Sequence, residues 1–589
     1  MASYDKVSKR LDKSGNLTDR NELDIIEHEL KYERSSWETH ITDIANYVRP
    51  RRLRINLSDT NRGDRKNTKI YDSTATKASD ILSAGMMGGL TNPAKKWFRL
   101  TTKDRELSKI ESVKSWLFET EENMFNLLSR SNLYTTLPPV YSDLADFSTG
   151  VMLVEEDYES VVKFTSVPWG EYYIATNERG DVRTYMREYQ MTVRQIVDKF
   201  ARKDAKNRVT SWKNISDIVK TEWDQKRFET QIDVIHLIRQ NPNYDPNKKE
   251  SKYKLYQSVY YETGGANYRT TLNRSYGQSL NDFQTHLRES GFDYFPLLAP
   301  RWKTVGTDAY GSDGPGMISL GDIKQLQKGE KKILQAIEKL VDPPVKAPPE
   351  LMEATVNALP GGVTFVSELN TGNGLSALYQ VNPRVQELEF KQEQVRKRIN
   401  ENYFKDLFLL FIGSDRRDIT ATEIERRQEE KLVVLGPVLQ QVNDDLLDPL
   451  IDITFHIMMK RGLISPPPQE LQGKQIDVEY VSIMAQAQKL ANVGLIERFV
   501  AFVGNVGGAV PEALDNVNID RIISEYGETI GVPPHLIRPE NEISEIRFQR
   551  QQQIAAQQQL AALREGAQVT KDLGKSETNE DNLLGQLIQ

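Results

Sequence analysis

Three groups of residues have types and spacings that could do chemistry. Asp444, Asp445 and Asp448, with Asp452 one turn further, place carboxylates along a helical pattern, where they either gather a cation or form a solvated acidic face. Lys303 to Gly316 carries Gly306, Gly311, Gly314, Pro315 and Gly316 ahead of a second helical pattern, a composition able to cradle phosphate. The P-loop spacing with its Lys-Ser/Thr ending is missing there, and so is the dinucleotide fingerprint. Arg49, Arg51, Arg52 and Arg54 follow a helical segment that Pro50 ends. Such a cluster either touches phosphate or complements the helix C-terminal dipole.

Other chemistries lack their residues. The six histidines, His28, His40, His236, His286, His456 and His535, have no zinc spacing, and no Asp-rich loop matches a calcium hand. The absence of cysteine excludes disulfides, thiolate metal sites and cysteine nucleophiles together. No Gly-x-Ser-x-Gly elbow or kinase set occurs, and no pair of carboxylates stands out. No cofactor, metal or catalytic residue is therefore expected.

The elements that would position these residues centre on Asp313 to Arg461, three long amphipathic patterns joined by two unlike connectors. In the first, Met317 to Val341, an advance of about 100° per residue puts Leu326, Ile333, Leu334, Ile337, Leu340 and Val341 on one side. Lys324, Lys328, Lys331, Lys332 and Lys339 fall opposite, as an ordinary solvated face or, in copies set round an axis, as stacked basic rings. A proline- and glycine-marked insert follows, from Asp342-Pro343-Pro344 to Asn382, longer than a connector needs and suggesting a projecting module. The second pattern, Arg384 to Phe411, spans about 42 Å as a helix. It ends at Ile412-Gly413-Ser414-Asp415-Arg416-Arg417-Asp418. Thr420-Ala421-Thr422-Glu423 then reads as a capping box for the third pattern, Thr422 to Arg461, with a kink expected at Gly436-Pro437.

Before this core, helices are expected over Asn21 to Val48, Asp72 to Leu90, Ser115 to Leu133 and Leu137 to Phe147, the last entered at Pro138-Pro139. The second is rich in small residues and so should lie buried between neighbours. Short runs of Val, Ile, Tyr and Phe between Val151 and Pro300 predict a mostly antiparallel β region, interrupted by a helix near Val193 to Phe200. After Ser465-Pro466-Pro467-Pro468, helices are expected near Met484 to Val503, Ile519 to Gly527 and Ile543 to Leu563. The last is Gln-rich, suited to an exposed helix or coiled assembly, before a tail from Gly574.

At 589 residues the chain exceeds what one hydrophobic core usually supports. Its net charge of -7 argues against tight nonspecific binding to nucleic acid through bulk charge. No apolar run reaches the roughly 18 residues of a membrane span, and Met1 to Leu17 lacks the apolar core of a signal peptide.

Several short stretches together carry a family resemblance. They are Asp72-Ser73-Thr74-Ala75, Leu90-Thr91-Asn92-Pro93 and Trp97-Phe98-Arg99-Leu100; Tyr310-Gly311-Ser312 with Gly314-Pro315-Gly316-Met317; and Ile419-Thr420-Ala421-Thr422-Glu423-Ile424. In this order, with the layout of helix, insert, helix, short loop and kinked helix, the chain resembles the portal proteins of tailed bacteriophages, in particular the head-to-tail connectors of short-tailed phages. The resemblance implies a mixed α+β, predominantly α-helical fold with wing (1–310), stem helices (311–342 and 383–411), clip (343–382), tunnel loop (412–421), long kinked helix (422–462), crown (463–548) and a Gln-rich helix with its tail (549–589). It implies a ring, usually of twelve subunits, assembled in the host cytoplasm at one capsid vertex. Double-stranded DNA would pass through the ring during packaging and ejection. The other partners would be terminase, a tail adaptor and the major capsid protein or scaffold, with no membrane.

Arg416 and Arg417, in the loop with Gly413, Ser414, Asp415 and Asp418, would then face the duplex with the five lysines. Pro343, Pro344, Lys346, Glu350 and Phe365 would meet partners from the clip. A capsid scaffold or tail adaptor that carries no DNA, and a hydrolase built on the acidic cluster, remain as alternatives.

Overall fold

The computed structural model describes residues 20–54, 63–104, 110–341 apart from 207, 213 and 264–285, then 345–346, 376–377, 385–412, 435–471, 476–480 and 540–576, with a few residues at 107, 473 and within 498–538. The chain divides into two compact units, Met1–Trp97 with Asn123–Ile464, and Phe98–Glu122 with Ser465–Gln589.

The first unit opens with α1 (Arg20–Tyr47), whose Leu23, Leu30, Ile41 and Ile44 recur at helical spacing and are buried. In α2 (Thr74–Leu90) the small residues Ala75, Ala78, Ser79, Ser83 and Gly85 lie on the buried face, and a Cβ on Gly85 would sit 2.2 Å from the Phe408 ring. The expected close approach is thus present. The strand β1 (Phe98–Thr102) belongs with the second unit, and α3 (Glu111–Arg130) runs from that unit into the first. Next comes α4 (Leu133–Phe147), which holds Pro138 and Pro139 inside rather than at its start. Burial from Val140 to Phe147 outweighs the two backbone bonds those prolines forfeit.

The β region follows as β2 (Met152–Asp157), β3 (Val161–Ser166), β4 (Tyr172–Thr176) and β5 (Val182–Thr192), then α5 (Val193–Phe200), β6 (Arg202–Lys203), β7 (Val209–Ser211) and α6 (Asp217–Asp224). It continues with β8 (Gln231–Gln240), β9 (Tyr256–Glu262), β10 (Arg288–Phe292) and β11 (Leu297–Leu298). A five-stranded sheet in the order β10-β9-β8-β5-β4 and a three-stranded sheet in the order β11-β2-β3 form, and their pairings are antiparallel, as expected. Strand period two divides the larger sheet. Ile235, Leu237, Val259 and Tyr261 face Leu23 and Leu30 of α1, whereas Ile232, Val234 and Tyr260 face Val193, Ile196 and Val197 of α5 and Val219 of α6. Thr192 caps α5 in a reciprocal box with Gln195.

Three long helices complete this unit: α7 (Pro315–Val341), α8 (Val385–Asn402) and, after the short α9 (Lys405–Ile412), α10 (435–460). Between α7 and α8 two short strands, β12 (Val345–Lys346) and β13 (Ser376–Ala377), pair antiparallel. Where the sequence suggests one helix from Arg384 to Phe411, the chain turns between α8 and α9. Tyr403 is drawn wholly into the core and Phe404 takes a left-handed φ of 53°. Helix α8 is therefore about 27 Å long at 1.5 Å per residue, not 42 Å. Within α10 a π-helical turn stands at Asn443–Leu447, whereas the turn before Pro437, where a kink is expected, lies outside the described residues. The capping stretch Thr420 to Glu423 lies outside the described residues.

In the second unit β1 pairs antiparallel with β14 (Ile476–Tyr480), a strand the sequence reading does not anticipate, and Trp116 Nε1 donates to the Ser465 carbonyl at 2.8 Å. Of Met484 to Val503 only 498–503 are described, as helix. Of Ile519 to Gly527, 521–523 and 526–527 are helical and the rest lies outside. The Gln-rich helix, α11 (Glu540–Ser576), outruns its expected span.

Candidate functional site

The glycine-rich loop before α7 is a packing joint, not a phosphate cradle. Its amides already have acceptors: Gly311 N donates to Thr149 Oγ1 at 2.8 Å and Gly314 N to Ser148 Oγ at 2.9 Å. A Cβ on Gly311 would lie 2.1 Å from the Ser148 carbonyl oxygen, and one on Gly316 would lie 2.3 Å from that of Asp146. Only residues without a side chain let α7 start against the end of α4.

Two arginines of the basic cluster are also committed internally, while Arg51 and Arg54 are exposed. Arg49 donates to Asp146 Oδ2 at 2.9 Å, Asp80 Oδ1 at 2.7 Å and Ser79 Oγ at 3.0 Å. Arg52 forks onto Asp143 and donates to Ser166 Oγ at 3.0 Å. Asp146 Oδ1 also accepts from the Tyr403 hydroxyl at 3.2 Å, so one buried carboxylate joins α4, the segment after α1 and the turn between α8 and α9. Burial pushes the Asp143 and Asp146 carboxyls above their usual range while Arg52 and Arg49 pull them down. Sequence reasoning missed these two aspartates. Two carboxylates one turn apart in an otherwise apolar helix were the available signal.

The acidic group on α10 divides: Asp444 and Asp452 are exposed, as a solvated face requires, whereas Asp445 is held by partners. Asp445, inside the π-turn, accepts from Arg301 Nε and Nη2, both at 3.1 Å, and from Gln441 Nε2 at 2.9 Å. Arg301 also donates to the Gly180 carbonyl at 2.9 Å. Asp444 accepts from Gln440 at 2.8 Å, and partial desolvation by its surroundings, then the neighbouring Asp448, raises the Asp452 carboxyl above its usual range even though its surface is exposed. Among the described residues no group of three or more His, Asp or Glu could hold a metal ion.

Helices α7 and α8 pack side by side, and this pair carries the remaining candidates. Leu326 and Ile333 are buried as the helical angle requires, but Leu334, Ile337, Leu340 and Val341 are exposed, the last at 81%. Glu330 and Ile333 share a cleft of about 460 Å³ with Gln386, Glu389 and Phe390 near the start of α8, so the α7 stripe continues past its cover. The lysines divide. Lys324 Nζ pairs with Asp43 Oδ2 at 2.6 Å, Lys331 lies 5.8 Å from the Tyr71 ring centre, and Lys332 donates to Gln335 at 3.1 Å. Lys328 and Lys339 are exposed. On α8, Arg396 reaches Asp72 at 2.8 Å, Glu330 at 2.6 Å and Glu393 at 3.1 Å.

Gly413, Ser414, Asp415, Arg416, Arg417 and Asp418 lie outside the described residues, as do Pro343, Pro344, Glu350 and Phe365. Lys346 sits in β12, its backbone paired with Ser376.

A family described as bacteriophage head to tail connecting protein matches residues 20–537. A portal protein of Salmonella phage epsilon15 is 40% identical over 556 residues, covering 94% of this chain and 95% of the relative. A probable portal protein of Bordetella phage BPP-1 is 37% identical over 556 residues with the same coverage. Among solved structures, a chain from the virion of a native gene transfer agent particle covers 72% of this chain and 94% of its own at 10% identity, with a TM-score of 0.30, a likeness that carries no argument. With a family match across most of its length and two relatives aligned over nearly their whole lengths, the chain belongs to the bacteriophage head-to-tail connecting proteins, the portal proteins of phages.

Proposed function

We propose that copies of this chain close into a ring, of twelve subunits by the family resemblance, at one vertex of a phage capsid. The ring is assembled in the host cytoplasm. Through it double-stranded DNA is packaged by terminase and later ejected. The observation that supports the ring most directly is the uncovered apolar surface on α7 and α8. Leu334, Leu340, Val341 and Phe390 are 48–81% exposed in a single chain, and copies of the same chain would cover such a surface.

Residues 1–310 are assigned to the wing, 311–342 and 383–411 to the stem, 343–382 to the clip, 412–421 to the tunnel loop, 422–462 to the long helix and 463–548 to the crown. Residues 549–589 form the Gln-rich end. In this reading Arg416 and Arg417 face the duplex. Pro343, Pro344, Lys346, Glu350 and Phe365 meet terminase and then the tail adaptor. A conduit must guide DNA without gripping it, and a chain of net charge -7 suits that, because every phosphate neutralised by Lys or Arg adds affinity through counterion release. The relatives' names give no catalytic activity, and none is assigned. No helix among the described residues is long and apolar enough to cross a membrane.

Negative-stain imaging of the purified chain tests the ring: monomers at every concentration would sink it. For the channel, Arg416→Ala combined with Arg417→Ala is expected to leave rings intact and impair packaging or DNA retention. Unchanged packaging removes those arginines from the mechanism.

A further inference from the structure

The α7–α8 pair has two edges of opposite charge. Round α7, at about 100° per residue, the buried Ser319, Leu326 and Ile333 define the direction of α8. Glu330 lies roughly 40° to one side of it, with Lys331 and Lys324 roughly 140–160° round on that side, beside Tyr71 and Asp43 of the same chain, whereas Lys328, Lys332 and Lys339 centre roughly 140° round the other side. Helix α8 repeats the division. Its buried Gln392, Val395 and Ile399 face inward. Glu389, Glu393 and Arg396 flank them on the Glu330 edge, where Arg396 bonds Glu330. Lys391 and Arg398 flank them on the other, where Arg398 pairs with Asp322 at 2.7 Å. Three carboxylates against one guanidinium line the cleft on the acidic edge, bordered by Phe390. The basic edge also carries Asp322, which Arg398 holds, and Glu387, one turn before Lys391; Lys328, Lys339 and Lys391 form no ion pair among the described residues.

We infer that the basic edge of one copy docks on the acidic edge of the next, with Lys328, Lys332 and Lys339 against the cleft of Glu330, Glu389 and Glu393, so that these lysines close the ring and do not line the channel. The inference rests on the ring proposed above and names the contact that makes it. A ring closed by rotation needs two unlike, complementary faces on each subunit, and opposite charges on opposite edges meet that need. An isologous dimer through either edge would set like charge against like. A duplex seated on the lysines would leave the acidic cleft and its apolar border uncovered, whereas lysine stems can cover Phe390 while their ammonium groups reach the carboxylates. Each exposed pair contributes little alone, but a closed ring repeats it at every interface.

The test uses the full chain and charge reversal on each edge: Lys332→Glu with Lys339→Glu, Glu389→Lys with Glu393→Lys, and all four together. Circular dichroism checks that each variant folds, and sedimentation velocity reads the ratio of ring to monomer. Each edge variant alone is expected to lower that ratio by about tenfold or more, since like charges placed face to face repel strongly, and the fourfold variant is expected to restore it. If wild type forms no ring, the ring reading falls. If wild type forms rings and the edge variants form them equally well, or the fourfold variant fails to recover, this contact is overturned while the ring stands. Normal rings with impaired packaging in the lysine variant would overturn it in favour of channel lining.

Discussion

At the scale of single residues, side chains that looked available for chemistry are held by the fold, and the glycines show why. In the sequence Gly311, Gly314 and Gly316 share their composition with phosphate loops. Only the three-dimensional course brings the Ser148 carbonyl against Gly311, the Ser148 hydroxyl against Gly314 and the Asp146 carbonyl against Gly316, from more than 160 positions earlier in the chain. Gly311→Ala is therefore expected to destabilise the chain by more than about 2 kcal/mol, because the blocking atom is backbone and cannot swing aside. Gly321→Ala should act oppositely. That glycine sits exposed within α7 with nothing within 4 Å of an added Cβ, so helix propensity alone predicts a gain of about 0.8–1 kcal/mol. Chemical denaturation of the two variants beside wild type separates these effects. His236 gives a pH test. It is buried, stacked 3.8 Å from the Tyr260 ring centre and bonded to Ser258. Burial first, then Lys199, Arg187 and Arg288, hold its pKa well below the usual 6.5. Below pH 6.5 the unfolded chain takes up a proton that the folded imidazole refuses, so this residue makes stability fall as pH drops through that value. Denaturation at pH 7.5 and 5.5 should show a smaller drop for His236→Gln than for wild type, and equal drops would contradict the assignment.

At the scale of elements, periodicity reads well wherever one face is buried against the chain itself. The segments α1, α2, α5 and the antiparallel strands fall close to their expected places, because burial enforced the helical and strand periods that their sequences display. Periodicity fails where a distant partner decides the conformation. The break between α8 and α9 follows the capture of Tyr403 by Asp146, and nothing near residue 403 announces it. The strand β14 was legible in the alternation Ile476-Asp477-Val478-Glu479-Tyr480, yet its pairing with Phe98–Thr102 requires the fold. The π-turn in α10 belongs to the same class. An extra residue in one turn places Asp445 where Arg301 can fork onto it, with the two side chains only 16% and 5% exposed. Asp445→Ala would leave the Arg301 guanidinium buried without its carboxylate. A loss of about 3–5 kcal/mol is expected, as for other broken buried pairs. A loss below 1 kcal/mol by urea denaturation would mean that the π-turn is held by its leucines, Leu446 and Leu447, rather than by the ion pair.

At the scale of the whole molecule, the surface left uncovered in one copy indicates what the chain contributes to an assembly and what it contributes to its own fold. Helix α11 is the clearest case. It begins at Glu540, beyond the family match that ends at residue 537, and Phe548, Ile554, Leu560 and Leu563 are all exposed on it. Apolar residues that stay exposed from Phe548 to Leu563 add little to the stability of a single chain, since packing of an apolar face supplies most helical stability in proteins. The Gln-rich sequence already suggests an exposed helix or a coiled assembly, and the structure leaves that apolar surface free for neighbours. Ending the chain at residue 539 should accordingly leave the thermal midpoint of the monomeric protein within about 1 °C of wild type, the shift that roughly 1 kcal/mol produces in a chain of this length. The same truncation should lower the resistance of the assembled ring to dissociation by dilution or mild denaturant, if the exposed apolar residues pack between copies. A drop of many degrees in the monomer would show instead that α11 is part of the core of its own chain. An unchanged monomer with unchanged rings would leave the helix outside both fold and assembly, and its exposed Phe548 and Leu563 would then need a partner other than this chain.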